Sequence, residues 1–164
     1  MVTQMKLLSP LRIFLFTALV ATAATPAARA ASLARFAGSG SGLILINQST
    51  TVLEGNANPK VTASARAAKF VISCTINNVA AKQTITLRSG HASVDHLLPG
   101  INGFQASASG TYKIHGTTVR VTLPFSGGTM YMEIDTTTFG SILRISSQIL
   151  LNGAQPIYST IIAT

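Results

Sequence analysis

Hydrophobic and polar residues alternate with a period of two along much of this chain, and the clearest run is residues 110–135, GTYKIHGTTVRVTLPFSGGTMYMEID. Val119, Val121, Leu123 and Phe125 alternate with Thr118, Arg120 and Thr122, and Met130, Met132 and Ile134 alternate with Tyr131, Glu133 and Asp135. Successive side chains of a strand point to opposite faces, so the pattern predicts two half-buried strands joined at Ser126-Gly127-Gly128. Upstream, Tyr112 and Ile114 alternate with Lys113 and His115 before a corner at Gly116, which adds a third strand. The resulting meander has one apolar and one polar face.

The same reading places strands at 43–46, 50–53, 60–65, 69–76, 82–89, 141–151 and 157–163, with weaker alternation at 104–109. Phe70, Ile72, Cys74 and Ile76 share one face, as do Leu143, Ile145, Ser147, Ile149 and Leu151. Residues 54–59, Glu-Gly-Asn-Ala-Asn-Pro, are rich in turn formers and read as a loop. Asn77-Asn78 turns the chain, and Asn152-Gly153 is its strongest hairpin signal. Residues 91–103 are the least regular stretch, closed by Pro99-Gly100 and Asn102-Gly103. The glycine-rich run at 38–42 precedes a strand, the reverse of the order in a phosphate loop, and reads as a flexible strand with close backbone neighbours.

Nine or ten short strands with turn signals about every 8–12 residues, and no convincing amphipathic helix, predict an all-β single domain. An antiparallel meander closed into a small β-barrel is favoured, because closure removes exposed strand edges; a β-sandwich is the alternative. The meander is similar in outline to small ligand-holding barrels of the lipocalin kind, a likeness of architecture that no motif accompanies. Fold alone carries no function.

The first thirty residues stand apart from this pattern. Lys6 and Arg12 lead into an apolar run at 13–21, and Ala28-Arg29-Ala30 offers small residues where a signal peptidase reads. Residues 1–30 are therefore expected to be a secretory signal peptide cleaved near Ala30, leaving 31–164 as a secreted or periplasmic domain with a disordered lead-in at 31–35. The apolar run is short of the ~20 residues a spanning helix needs. Short strands and the absence of Trp likewise weigh against a barrel that spans the outer membrane.

The mature part carries nine Lys/Arg against four acids, a net charge of +5. That balance favours anionic surfaces such as lipopolysaccharide, acidic phospholipid or polysaccharide, and also keeps a low-charge chain soluble. The cations are scattered, with no basic run and no interleaved arginines and aromatics, so nucleic acid is not an expected partner. Cys74 is the only cysteine; it can form no intrachain disulfide and reads as a small buried hydrophobe.

The densest polar cluster is His91-Ala92-Ser93-Val94-Asp95-His96. His91, Asp95 and His96, with His115 approaching from the meander, are candidate metal ligands, since zinc wants three or four such groups converging. A solvated loop is the other reading of the same residues. Adjacent Ser, His and Asp on one short loop do not make a catalytic triad, and no Gly-x-Ser-x-Gly elbow occurs. Glu133 and Asp135 fall on the outward face of the meander, where paired-carboxylate chemistry would lack a cleft. No enzyme activity and no cofactor are expected.

The inside of the barrel is the remaining candidate. Phe104, Tyr112, Met130 and Met132 are the candidate ligand-binding residues, with Phe70, Val119, Val121 and Leu143 beside them and Ala106 and Ala108 leaving room. The same side chains could instead fill a small barrel's core. The sequence thus points to an exported, non-enzymatic β-barrel binding an apolar small molecule or an anionic cell-envelope component. The alternative is a structural or adhesive subunit, a homo-oligomer held through Thr/Ser/Ile-rich strands; a third reading is a metal-binding protein using the 91–96 loop.

Overall fold

The computed structural model describes residues 32–101, 104, 106–136 and 142–164; the expected signal peptide, the Asn102-Gly103 turn and the 137–141 connection lie outside them. A 3-10 turn, Leu33–Phe36, is followed by eleven strands: β1 (Gly38–Ser39), β2 (Gly42–Gln48), β3 (Thr51–Ala63), β4 (Ala67–Ile76), β5 (Val79–Arg88), β6 (His91–Asp95), β7 (Ala108–His115), β8 (Thr118–Phe125), β9 (Gly128–Thr136), β10 (Leu143–Leu151) and β11 (Ile157–Ala163). Consecutive strands from β2 to β11 pair antiparallel, β11 pairs with β2, and ten strands thereby close into a meander barrel.

The two-residue β1 is the amino-terminal continuation of β2. Gly38 and Ser39 face Val61 and Lys60 of β3 in the register that sets Gly42 against Ala57. That register puts Gly40 opposite Pro59. Gly40 donates its N–H to the Pro59 carbonyl at 3.0 Å, but proline has no N–H to return the bond, and the ladder breaks there. On the other flank Ser41 and Thr164 exchange both backbone bonds at 3.1 Å, extending the β2–β11 pairing. Glycine is required at Gly42 because a Cβ would collide with the Ile162 carbonyl, as the expectation of close backbone neighbours implied.

Burial alternates along nearly every strand. Ile44 and Ile46, Phe70 to Ile76, Ile85 and Leu87, Val119 to Leu123, Met130 to Ile134 and Ile157 to Ala163 put their alternate residues inward, while Thr, Ser, Lys and Arg make up much of the outside, with Leu43, Leu45 and Ile162 exposed among them. A lipid-embedded barrel has the opposite polarity, apolar outside and polar within.

Both ends are stoppered. At one end Leu33 and Phe36 are buried, and the Phe36 ring meets Phe70 edge-on at 5.6 Å and 62°. Ser32 caps this turn, its Oγ accepting from the Ala34 N–H at 3.2 Å. Arg35 ties it down, donating to the Thr117 carbonyl at 3.0 Å and the Ser32 carbonyl at 2.9 Å, with its guanidinium 4.6 Å from the Phe36 ring centre. At the other end Leu97 and Leu98 are buried beneath the β6–β7 connection. The Gln83 side-chain amide, itself buried, holds that connection by donating to the His96 and Leu97 carbonyls at 3.0 Å each.

The weak strand expected at 104–109 is strand only from Ala108, where β7 begins, and three further stretches differ from the sequence expectation. Residues 54–59 lie within the thirteen-residue β3, not in a loop. Its Asn and Gly residues face outward or approach β4 closely, and Ala57, Pro59 and Val61 face in. Residues 91–95 form a strand, because Ala92 and Val94 fill the core while His91, Ser93 and Asp95 do not. Residues 32–36 are an ordered stopper, not a disordered lead-in, since Leu33 and Phe36 find an apolar mouth to fill.

Candidate functional site

The interior leaves no chamber around the candidate methionines. Met130 faces Leu123 and Ile149, and Met132 faces Val121 and Ser147, across the neighbouring strands. Their exposures are 0% and 1%, and Ile46, Phe70, Ile72 and Ile85 stand at 0%, so no water-sized gap opens against any of them. Met130 and Met132 therefore take the second role the sequence left open, that of core filler. Tyr112, half-buried, crosses to Val121 on the same inward face. Phe104 is half-buried in the end-closing connection, where its carbonyl accepts from Leu98 at 3.3 Å and its N–H donates to Ile101 at 3.2 Å. The four do not surround a common space.

Inward polar groups are satisfied in place. The Ser147 and Ser159 hydroxyls lie 2.6 Å apart, bridging β10 and β11 within the core. Cys74 is buried on β4, and that burial raises its thiol to about 11. Near the amino-terminal stopper a cavity of about 70 Å³ is lined by Arg35, Phe36, Pro59 and Thr164 among others, room for a few water molecules. Burial lowers the Arg35 guanidinium, with the charge of Asp135 pulling the other way, and its Nε is buried without a hydrogen-bond partner among the described residues.

The expected metal set is corrected by the register. His91 and Asp95 stand at opposite ends of β6, about 13 Å apart at strand rise. His96 follows Asp95 at the far end, and His115 lies four residues past the partner of His91 on β7. Asp95 instead accepts from the Ser107 hydroxyl at 2.7 Å. Among the described residues no three His, Cys, Asp or Glu side chains come together to hold a metal.

What the structure does assemble lies outside the barrel. A groove of about 400 Å³ crosses β8 to β11, between two rows of outward side chains and over the intervening strand positions Val121, Met132, Ser147 and Ser159. One row carries Thr122, Tyr131, Gln148 and Tyr158, which face one another strand by strand. The other carries Arg120, Glu133, Ser146 and Thr160 in the same manner. Tyr131 and Tyr158 are 45% and 48% exposed, large rings offered to solvent on either side of Gln148. Gln148 Nε2 donates to the Tyr158 hydroxyl at 3.1 Å, and Arg120 Nε donates to Glu133 Oε1 at 2.9 Å. The groove adjoins a hollow of about 220 Å³ holding Thr118, Asp135 and Arg144. There Arg144 approaches Asp135 at 3.5 Å.

The sequence pattern put Tyr131, Glu133 and Arg120 on an outward face and went no further. The missing partners, Gln148 and Tyr158, come from the β10–β11 hairpin. Matching the apolar faces of its two strands, Ile149 against Ile157, would have brought them beside Tyr131.

The chain is thus a closed ten-strand antiparallel barrel with a packed interior. No protein-family model and no curated protein matches it. Solved structures of similar fold include the crystal structure of Rv2717c from M. tuberculosis, with a TM-score of 0.52 and 17% identity over 85% of this chain and 97% of that one. They also include the S-type phycobiliprotein lyase CPES from Guillardia theta, with a TM-score of 0.50 and 11% identity over 79% of this chain and 86% of that one. At these identities the likeness is one of fold.

Proposed function

We propose that this chain is an exported, non-enzymatic binding barrel that takes up a cell-envelope ligand along the outer groove of β8–β11. The observation that carries the reading is the groove itself, about 400 Å³ with two exposed tyrosines, beside an interior closed at both ends. A binding site of that size, with a few placed polar groups among larger surfaces, suits a small ligand. That a phycobiliprotein lyase shares the fold makes ligand handling on such a barrel a natural expectation. Binding without catalysis is favoured because the groove's carboxylate, Glu133, is held by Arg120, the thiol is buried, and the histidines stand apart.

A second reading has its own support. β4 to β7 and their turns expose Arg66, Lys69, Lys82, Arg88 and Lys113 against one carboxylate, Asp95. Such a face attracts anionic surfaces through screened, salt-sensitive forces.

Co-sedimentation of the mature chain with isolated cell envelope separates the two. The groove reading expects saturable binding that persists in high salt and weakens about tenfold or more in Tyr158→Ala. Binding that survives Tyr158→Ala and is abolished by Lys69→Glu/Lys113→Glu would replace it with the basic face.

A further inference from the structure

We infer that the outer groove recognises an extended β-1,4-linked pyranose oligosaccharide; the inference rests on the groove being the binding site. Tyr131, Gln148 and Tyr158 occupy facing positions on three consecutive strands. Neighbouring strands lie ~4.8 Å apart, so the backbones of the two tyrosines are roughly 10 Å apart across the barrel wall, with the Tyr158 hydroxyl reaching back to Gln148. A pyranose ring with equatorial hydroxyls has flat C–H faces that pack on an aromatic ring. In an extended β-1,4 chain each ring is turned over relative to the last, so the same face recurs at every second ring. That disaccharide repeat is also roughly 10 Å, the spacing of two strand intervals. Two rings can therefore rest on Tyr131 and Tyr158 while the intervening one spans Gln148.

The neighbouring row supplies what the hydroxyls of such a chain need. Arg120 and Glu133, joined at 2.9 Å, present donors and an acceptor side by side, and Ser146 and Thr160 add hydroxyls. The Tyr158 hydroxyl accepts from Gln148, which leaves its own proton to donate and the Gln148 carbonyl to accept. A purely apolar ligand would strip water from these groups without replacing its hydrogen bonds, which disfavours it. The Arg120–Glu133 pair carries no net charge to favour an anionic ligand. A strand of another protein finds no ladder to join here, because β8 to β11 are each paired on both sides. The chain that fits is neutral along its length, rich in hydroxyls and flat on its faces. The adjoining hollow at Thr118 and Arg144 lies to the side of that track, beyond the polar row.

The test is titration of the mature chain with cellohexaose, chitohexaose and maltohexaose, followed by tyrosine fluorescence. Tryptophan is absent, so Tyr112, Tyr131 and Tyr158 are the reporters. At least one β-1,4 hexasaccharide should bind saturably, and the coiled α-1,4 chain should bind at least tenfold more weakly. Tyr131→Ala and Tyr158→Ala, both at exposed positions, should each raise Kd about tenfold or more, while Tyr112→Phe should leave it unchanged. Equal binding of the α-1,4 chain would overturn the spacing argument. If no hexasaccharide binds but Tyr158→Ala still loses the envelope, the saccharide assignment fails and the groove stands. If envelope binding is indifferent to Tyr158, both fall together.

Discussion

Cys74 sits on the inward face of β4, opposite Ala57 of β3 and Ala81 of β5, with its thiol raised by burial to about 11 from an ordinary 9.0. A group whose pKa is higher in the folded state stabilises the fold fully below its unfolded value and loses that contribution as pH rises through the folded one. Unfolding by urea should therefore show a decline in stability between pH 9 and 11 that is steeper in the wild type than in Cys74→Val. At pH 7 the native thiol should resist a maleimide that labels it promptly after unfolding. Cys74 was legible as core from its place in the Phe70, Ile72, Cys74, Ile76 alternation. Gln83 was not, although it extends the inward row of Ile85 and Leu87. Its partners are backbone carbonyls of an aperiodic stretch, which no side-chain pattern marks.

Among elements, the hairpins decided how much of the site the sequence could reveal. Asn77 and Asn78 both take positive φ, 49° and 63°, as a two-residue type I′ turn requires, and the expected turn is where it was placed. At Asn152-Gly153 a turn of the same length would set Gln148 opposite Ile157, on the wrong face. The connection is longer, Gln148 faces Tyr158, and the groove depends on that one-residue difference. The end-closing elements escaped because each is too short to show a period. Their contribution can be measured separately. Gln83→Leu leaves the His96 and Leu97 carbonyls without their donor and should cost about 1–3 kcal/mol. It should speed amide exchange in residues 96–101 but not in 33–36. Phe36→Ala should cost about 3 kcal/mol and show the reverse exchange pattern. Protection lost equally at both ends in either variant would mean that the stoppers are not independent.

At the scale of the whole molecule, ring closure and polarity were readable, because alternation and turn spacing survive in the sequence even where individual strands are misjudged. Whether the barrel is hollow was not. Met, Phe and Tyr on an inward face suit a chamber and a packed core equally well, and only the convergence of ten strands and two stoppers fills the space. Closure also pairs the strand edges, so self-association by edge pairing has little more than the two residues of β1 to work through, whereas Leu43, Leu45 and Ile162 leave an exposed apolar face on β2 and β11. Outside, the molecule divides into a cationic face on β4–β7 and a tyrosine-bearing groove on β8–β11.

Residues 31–164 contain two methionines, Met130 and Met132, both inside, and the groove displays Tyr131 and Tyr158. Labelling the methionine methyls and the tyrosine rings, and recording their NMR signals as envelope extract is added, reads both candidate locations in one titration. A ligand in the groove should shift the Tyr131 and Tyr158 rings and leave the Met130 methyl, which lies off the groove, in place. A Met130 methyl shift with unmoved tyrosines would put the ligand inside the barrel and contradict the groove as the binding site.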